Sequence, residues 1–267
     1  MQAEQYRFPP QHPLAPYVDA IWRVQANRDY TTETILPKGN VDLIFNFGDP
    51  LATVEGKESR NLLGTAGVYV AGLYTGAFTN QPQGAVWLLG VSLKVDMCTS
   101  ILPLPLAELA NQTVEARHVF ADAPQWLEPL AESATFTQQC HLLTDWLVRR
   151  INPNPNAALV RQACLALRQY PDAARIAEQA ARLHLSERHL RRLFYQHIGI
   201  GPSTYLQMVR FIRCLHLMST PHTLTQIAQE AHYFDQAHFC RDFKSIAGIT
   251  PQQYRACVGH VPGHFFT

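Results

Sequence analysis

Apolar positions along the chain change their period near residue 96. Before it, short runs rich in Val, Ile, Leu and aromatic residues occupy 18–24, 41–47, 68–73 and 86–93. Gly- and Pro-bearing breaks separate them: Pro37-Lys38-Gly39, Gly48-Asp49-Pro50, Gly64, Gly67, Gly76 and Pro82. Several short strands punctuated in this way predict a β-barrel or sandwich. Beyond 96, apolar residues at spacings of three and four over 102–110, 123–131 and 137–150 predict helices. Past 157 there is no strand-like alternation of any length, so the C-terminal half is expected to be all helix. Between the halves, Asn152-Pro153-Asn154-Pro155-Asn156 places two X-Pro steps in five residues, which disfavours helix. The expected organisation is α+β: a β-rich N-terminal domain with following helices (1–151), a linker (152–157) and an all-α domain (158–267).

The helical half contains a repeat. Gly-Ile-Gly-Pro-Ser-Thr-Tyr at 199–205 returns as Gly-Ile-Thr-Pro-Gln-Gln-Tyr at 248–254, an offset of 49. Ser186, Leu190, Arg192 and Phe194 match Asp235, Phe239, Arg241 and Phe243 at the same offset. In the first unit, Ile176, Ala177, Ala180 and Leu183 fall on one face of a short helix. Ser186 is an N-cap for a second helix reaching His197. Leu190, Leu193 and Phe194 form the inner side of that helix and turn Arg188, Arg191 and Arg192 outward. In the second unit 224–231 is the first helix and Asp235 caps the next, with Phe239 and Phe243 inward and Gln236, Cys240, Arg241 and Lys244 free to face outward. Gly199 and Gly248 stop each unit, and Pro202 and Pro251 start the following helix. A short helix, a tight turn and a capped helix with a polar face describe a helix-turn-helix, whose second helix enters a major groove. Arg there pairs with guanine and Gln with adenine. A helix over 203–218, about 24 Å long, would join the units, with Arg210 and Arg213 as phosphate contacts.

Charge sharpens this division. The whole chain carries a net charge of +1, which on its own argues against a nucleic-acid partner. Residues 1–150 hold 10 Lys and Arg against 15 Asp and Glu, whereas 151–267 hold 12 against 6. Near-neutrality is the sum of an acidic half and a basic one. No run approaches the ~20 apolar residues of a membrane span, the N-terminus lacks an export signal, and six scattered cysteines predict reduced thiols. A cytoplasmic protein without membrane partners is expected.

The stretches "LSERHLRRLF", "GIGPSTYL" followed by "RFIRCLHLM", and "YFDQAHFCRDFKSIAGITPQQYR" resemble the DNA-binding domain of AraC-type (AraC/XylS) transcription regulators. The resemblance covers 176–255 and implies two helix-turn-helix units joined by a linker helix. It places base-edge contacts on Arg188, Arg191 and Arg192 in the first unit and on Gln236, Ala237, Cys240 and Arg241 in the second, with Lys244 on the same face. The family often has Gly in each turn where this chain has His184 and His232. "PLAPYVDAIWRV" and "ILPKGNVDLIFNFGD" are similar to the sensor half of a subgroup of these regulators, implying a cupin-like barrel. Where related chains often carry Phe-x-Pro-Gly, this one has Leu93-Lys94-Val95-Asp96.

A small barrel can enclose a ligand. Trp22, Asp42, Phe45, Asn46, Tyr69 and Trp87 are the expected effector-pocket residues, with Phe47, Tyr74 and Phe78 as further aromatic lining and Lys38 as another polar handle. On an alternating strand Asp42 shares its face with Ile44 and Asn46. The helix over 138–150 offers Leu142, Leu143, Trp146, Leu147 and Ile151 either to its own domain or to a dimer interface. The expected function is a ligand-responsive, sequence-specific transcription regulator with promoter DNA, an unidentified small-molecule effector and RNA polymerase as partners. A homodimer is expected. No catalytic residue, metal site or cofactor is expected. The alternatives are a DNA-repair-type methyltransferase using an N-terminal cysteine, Cys98 or Cys140, and a regulator whose N-terminal domain only dimerises. A Gly-x-Ser-x-Gly elbow is absent, and a redox role for Cys240 is the remaining cysteine reading.

Overall fold

The computed structural model describes residues 2–27, 32–55, 58–169, 171, 175–257 and 264–266. The four apolar runs become the long strands of the N-terminal half. In chain order the strands are β1 (Gln2–Tyr6), β2 (Val18–Ala26), β3 (Glu33–Ile35), β4 (Asn40–Asn46), β5 (Leu51–Glu55), β6 (Glu58–Leu63), β7 (Gly67–Ala71), β8 (Phe78–Pro82), β9 (Val86–Lys94), β10 (Thr113–Glu115) and β11 (His264–Phe266). They form two antiparallel sheets, ordered β1-β2-β9-β4-β7-β10 and β11-β3-β8-β5-β6. Pairing does not run from one sheet into the other among the described residues, so two open sheets stand where a closed barrel was expected.

Alternation gives the larger sheet two different faces. Ile21, Val41, Leu43, Phe45, Val70, Leu89 and Val91 are almost fully buried on one face. Trp22, Asp42, Ile44, Tyr69 and Ser92 stay half-buried on the other. Trp22 pairs with Gly90 across β2 and β9, and its indole lies over that glycine. A Cβ there would fall 2.1 Å from the ring.

The helices are α1 (Leu127–Glu132), α2 (Phe136–Val148), α3 (Pro155–Gln169), α4 (Arg175–Arg182), α5 (Glu187–His197), α6 (Pro202–Met218), α7 (Leu224–Glu230), α8 (Gln236–Ala247) and α9 (Pro251–Cys257). No helix among the described residues is long and apolar enough to cross a membrane. Thr135 opens α2 with a capping box closed by Gln138. Its Leu143, Trp146 and Leu147 are 1% exposed or less, and Leu142 and Ile151 pack beside them. That face is used inside the N-terminal half, which removes it as the seat of a dimer.

Four expectations need correction. The segment 102–110 is not an α-helix: Pro103 and Pro105 withdraw donors, and a single 3-10 turn forms at Leu106–Glu108. The stretch 123–131 begins as a 3-10 turn, Ala123–Trp126, before α1. The linker is shorter than expected, because Pro155 opens α3, where its missing N–H is no loss. The C-terminal half is also not wholly helical. β11 returns to pair antiparallel with β3, His264 opposite Ile35 and Phe266 opposite Glu33. Three residues are too few to show a period, and the unpaired edge of β3 supplies their partner.

The halves are packed into each other. One apolar cluster runs from Leu14 and Val41 through Leu106 and Trp146 to Leu190, Phe194 and Met208. Asp96 in the N-terminal half is 3% exposed and pairs with Arg168 of α3 at 3.1 Å. The backbone N–H of Asn152 donates to the Ser100 carbonyl at 2.7 Å.

Candidate nucleic-acid interface

Each helix-turn-helix unit is built by local chemistry. Ser186 Oγ accepts from the His189 backbone N–H at 3.2 Å and starts α5. Asp235 accepts from His238 N–H at 2.6 Å and starts α8. Thr223 and Gln226 close a capping box on α7. The chain then turns through the left-handed region at His184 (φ 55°) and His232 (φ 61°). Both turns close with the same paired bonds: Leu185 N–H to Ala180 O and Tyr233 N–H to Ala228 O, each 2.9 Å. These histidines stand where a glycine would be relaxed, so each unit holds some backbone strain. The second turn is one residue longer, and the extra residue is Phe234, 93% exposed beside the N-cap of α8.

The inner faces are as expected, with one exchange. Leu190, Leu193 and Phe194 are buried in α5, and Phe239, Phe243 and Ile246 in α8. On α4, Ala177 is exposed and Gln179 takes the buried position. Arg188, Arg191 and Arg192 are all exposed on α5, and Gln236, Ala237, Arg241 and Lys244 are exposed on α8. Cys240 is half-buried, and burial raises its pKa, which disfavours the reactive thiolate. Thr225 Oγ1 donates to Gln236 Oε1 at 2.7 Å, orienting that amide. Among the described residues Arg188, Arg192, Arg241 and Lys244 make no ion pair, while Arg191 lies 3.9 Å from Glu187.

Polar contacts behind the helices fix their orientation. Asp242, on the inner side of α8, accepts from Tyr233 Oη at 2.7 Å and from the Gln207 amide of α6. The Arg210 guanidinium stacks 5.1 Å from the Tyr233 ring, so it serves packing within the domain. The N-terminal half touches both units. The Leu106–Glu108 turn lies against α5, and a Cβ at Gly199 (φ 89°) would come 2.7 Å from the Leu106 carbonyl oxygen. A groove of about 680 Å3 runs between Pro105, Ala107 and the arginine face of α5. In the second unit Leu36 is fully buried among Phe211, Phe239 and Phe243, and Ala77 N–H donates to Ile246 O at 2.8 Å.

The expected effector residues separate. Trp22, Asp42 and Tyr69 share the half-buried face of the larger sheet. Trp22 Nε1 donates to Ser92 Oγ at 3.0 Å, and Ser92 donates in turn to Asp42. Burial raises the Asp42 pKa against the opposing pull of Ser92 and Lys38. Phe45 faces the opposite way, into the core, and the Trp87 ring packs at a tilt against Phe47, centroids 5.0 Å apart. Asn46 is fully buried with its amide committed to a turn: Nδ2 donates to Asp49 O and Gly64 O, and Oδ1 accepts from Gly48 N–H. A period of two separates Asp42 from Phe45 in sequence alone, whereas the role of Asn46 depends on a loop no pattern reveals. The Tyr74 and Phe78 rings pack at a tilt against each other, centroids 4.4 Å apart. Burial raises the pKa of Cys98, and pushes Cys140 up to about 11, which suits neither as a nucleophile. The described residues contain no cluster able to hold a metal ion.

Comparison with known proteins divides the chain in the same place. Residues 179–256 match a helix-turn-helix domain family, and residues 6–115 match a domain family of unknown function. An uncharacterized HTH-type transcriptional regulator of Haemophilus influenzae is 36% identical over 98 residues, 36% of this chain and 33% of that protein. The HTH-type transcriptional activator RhaR of Yersinia pseudotuberculosis is 37% identical over 73 residues, 27% of this chain and 25% of the relative. The chain thus spans a third or less of these relatives' length. Over the full fold, an apo form of ToxT from Vibrio cholerae superposes with a TM-score of 0.52 at 12% identity, covering 88% of this chain and 97% of ToxT. ToxT with an unsaturated fatty acid bound gives 0.51 at 12% identity, covering 90% and 96%.

Proposed function

We propose that residues 179–256, which match a helix-turn-helix domain family, are an AraC-type DNA-binding domain, and that the chain is a sequence-specific transcription regulator governed by a small-molecule effector. The observation that carries this reading is the repetition of one surface. Two capped helices, 49 residues apart, each turn a basic polar face to solvent and an aromatic or aliphatic face inward. Arg188, Arg191 and Arg192 are the base-edge and phosphate contacts of α5. Gln236, Ala237, Cys240, Arg241 and Lys244 form the corresponding face of α8, with Phe234 at its entrance. Arg recognises guanine O6 and N7, and Gln recognises adenine N6 and N7. With one helix in each of two successive groove segments, a single chain reads two subsites about one DNA turn apart.

The domains of this reading are 1–151 for sensing and 155–267 for DNA. Trp22, Asp42 and Tyr69 are the effector-facing residues, and promoter DNA, a second copy of the chain and RNA polymerase are the partners. The unsaturated fatty acid bound by ToxT supports a small-molecule occupant for this fold. Mobility-shift titration of Arg192→Ala and Arg241→Ala tests the DNA contacts: each loses specific affinity, and unchanged specific binding in both would overturn the assignment. A thermal-shift screen of small metabolites against the full chain tests the sensor. An effector raises the melting temperature in proportion to the logarithm of its excess over Kd.

A further inference from the structure

From His184 the first helix-turn-helix turn reaches its N-cap, Ser186, through Leu185 alone. From His232 the second reaches Asp235 through Tyr233 and an inserted residue, Phe234. Phe234 is 93% exposed, against 54% for Tyr195, the next most exposed large apolar side chain among the described residues. A lone exposed apolar residue is ordinary on a protein surface. This one is set apart by its frame. On one side Tyr233 is turned into the core. Its ring lies edge-on to His238 at 5.2 Å and at a tilt to Phe239 at 5.5 Å, and its hydroxyl donates to Asp242 at 2.7 Å. On the other side Asp235 is tied to the end of α8 as its N-cap. Phe234 therefore projects from a held turn at the start of α8, beside the exposed Gln236 and Ala237.

We propose that Phe234 is a specificity-determining residue that reads the C5-methyl group of a thymine in the major groove. This rests on the DNA reading above and names one chemical feature of the target. A recognition helix brings its N-terminal residues to the base edges. The thymine methyl is the apolar group that those edges offer, and Phe is among the side chains that meet it. Cytosine presents an amino group and no methyl there, and a phenyl ring over that donor strips its water without replacing the bond. A T·A pair is favoured on both counts.

The surroundings supply register and attraction. Thr225 orients the Gln236 amide, and Gln pairs with adenine. Two residues of chain span at most about 7 Å, while base pairs are about 3.4 Å apart. The thymine thus lies within two base pairs of the one that Gln236 reads. Arg241 and Lys244, exposed further along α8 and without an ion pair among the described residues, draw the phosphate backbone to this face. Because the turn is held on both sides, the ring meets the base without ordering a loop, which avoids that entropic penalty.

The test uses duplexes selected from a random library by the full-length chain, each thymine replaced in turn by deoxyuridine. That replacement deletes the methyl and leaves the pairing edge intact. At one thymine it weakens the wild-type chain about fourfold, the contribution of one buried methyl group, and the same replacement leaves Phe234→Ser unaffected. A surface substitution of this kind leaves folding intact. Wild-type binding insensitive to deoxyuridine at every thymine would overturn the methyl contact. An effect that persists in Phe234→Ser would overturn the assignment and move the methyl to Ala237, the neighbouring apolar side chain. Phe234→Ser that binds every duplex as the wild type does would also overturn it and assign the ring to a protein partner. Arg241→Ala separates these failures from that of the DNA reading: a loss of specific affinity in Arg241→Ala keeps that reading when Phe234→Ser shows none. A selection that enriches no sequence overturns both.

Discussion

The first and second helix-turn-helix units follow one plan but are held by the rest of the chain in different ways. In the first, α5 leans on a proline-flanked turn, with Leu106 against Gly199 and Thr99 Oγ1 2.8 Å from His197 Nδ1. There the unit's Leu190, Leu193 and Phe194 are continuous with the apolar cluster of the N-terminal half, a broad shared core. In the second, a separate core admits Leu36 of the N-terminal half, fully buried among aromatic side chains that belong to α6 and α8. Duplication reproduced the caps, stops and inner faces; the docking is what distinguishes the copies.

The largest effect follows from that difference. Leu36→Ala deletes a side chain from the second unit's core and should cost about 2–5 kcal/mol, as large-to-small core changes do. Denaturant titration of the full-length chain measures it. A loss below about 1 kcal/mol, within the range of surface substitutions, would mean that the second unit does not depend on this plug, and the comparison above would collapse.

Next in size are the DNA contacts, which sharpen the comparison at the reading faces. Arg188→Ala should cost about 1–3 kcal/mol and relax sequence preference at one base pair. Lys244→Ala should weaken binding uniformly and lower the salt slope by about 1. Binding isotherms on matched and mismatched sites at several salt concentrations separate these outcomes. Uniform weakening by Arg188→Ala would move that residue from base reading to phosphate contact.

A smaller effect concerns the turns, where the units agree. His184 and His232 both hold positive φ. Replacing either by glycine relieves roughly 1–2 kcal/mol of left-handed strain and loses about 0.4–1 kcal/mol through unfolded-state entropy. Each variant should gain a few tenths to about 1 kcal/mol in a melting experiment. A loss in either would show that the imidazole contributes contacts that outweigh the strain.

Much of this architecture was legible in the chain because local rules wrote it. Ser186, Asp235, Gly199, Gly248, Pro202 and Pro251 each act within a few residues, so caps and stops could be read directly. The long strands were equally visible, since β2, β4, β7 and β9 bury one face and alternate. β1, β6 and β8 were not, because QAEQY, ESRNLL and FTNQP carry little apolar signal and take their order from neighbouring strands. Long-range choices were the least legible. Nothing local says that Leu36 belongs to a core assembled some 200 residues later, that Asp96 meets Arg168, or that Asn46 is tied into a turn.

The smallest effect tests the docking of the first unit. His197 is 6% exposed, and desolvation lowers its pKa below that of a free imidazole. The unfolded chain therefore takes up this proton at higher pH than the folded one. The associated stability is fully present above the unfolded pKa of about 6.5 and is lost as pH falls through the lowered folded value. Melting at about pH 7.5 and about pH 5.5 should show that decline, and His197→Gln should reduce it. Thr99→Val removes the partner of Nδ1 and should cost about 1 kcal/mol at the higher pH, with a smaller cost where the imidazole has charged and its docked geometry is already weakened. A decline of the same size in His197→Gln would assign the pH response to other histidines. The contact between α5 and the N-terminal half would then be a matter of shape alone, unlike the polar hinge that Thr99 and His197 describe.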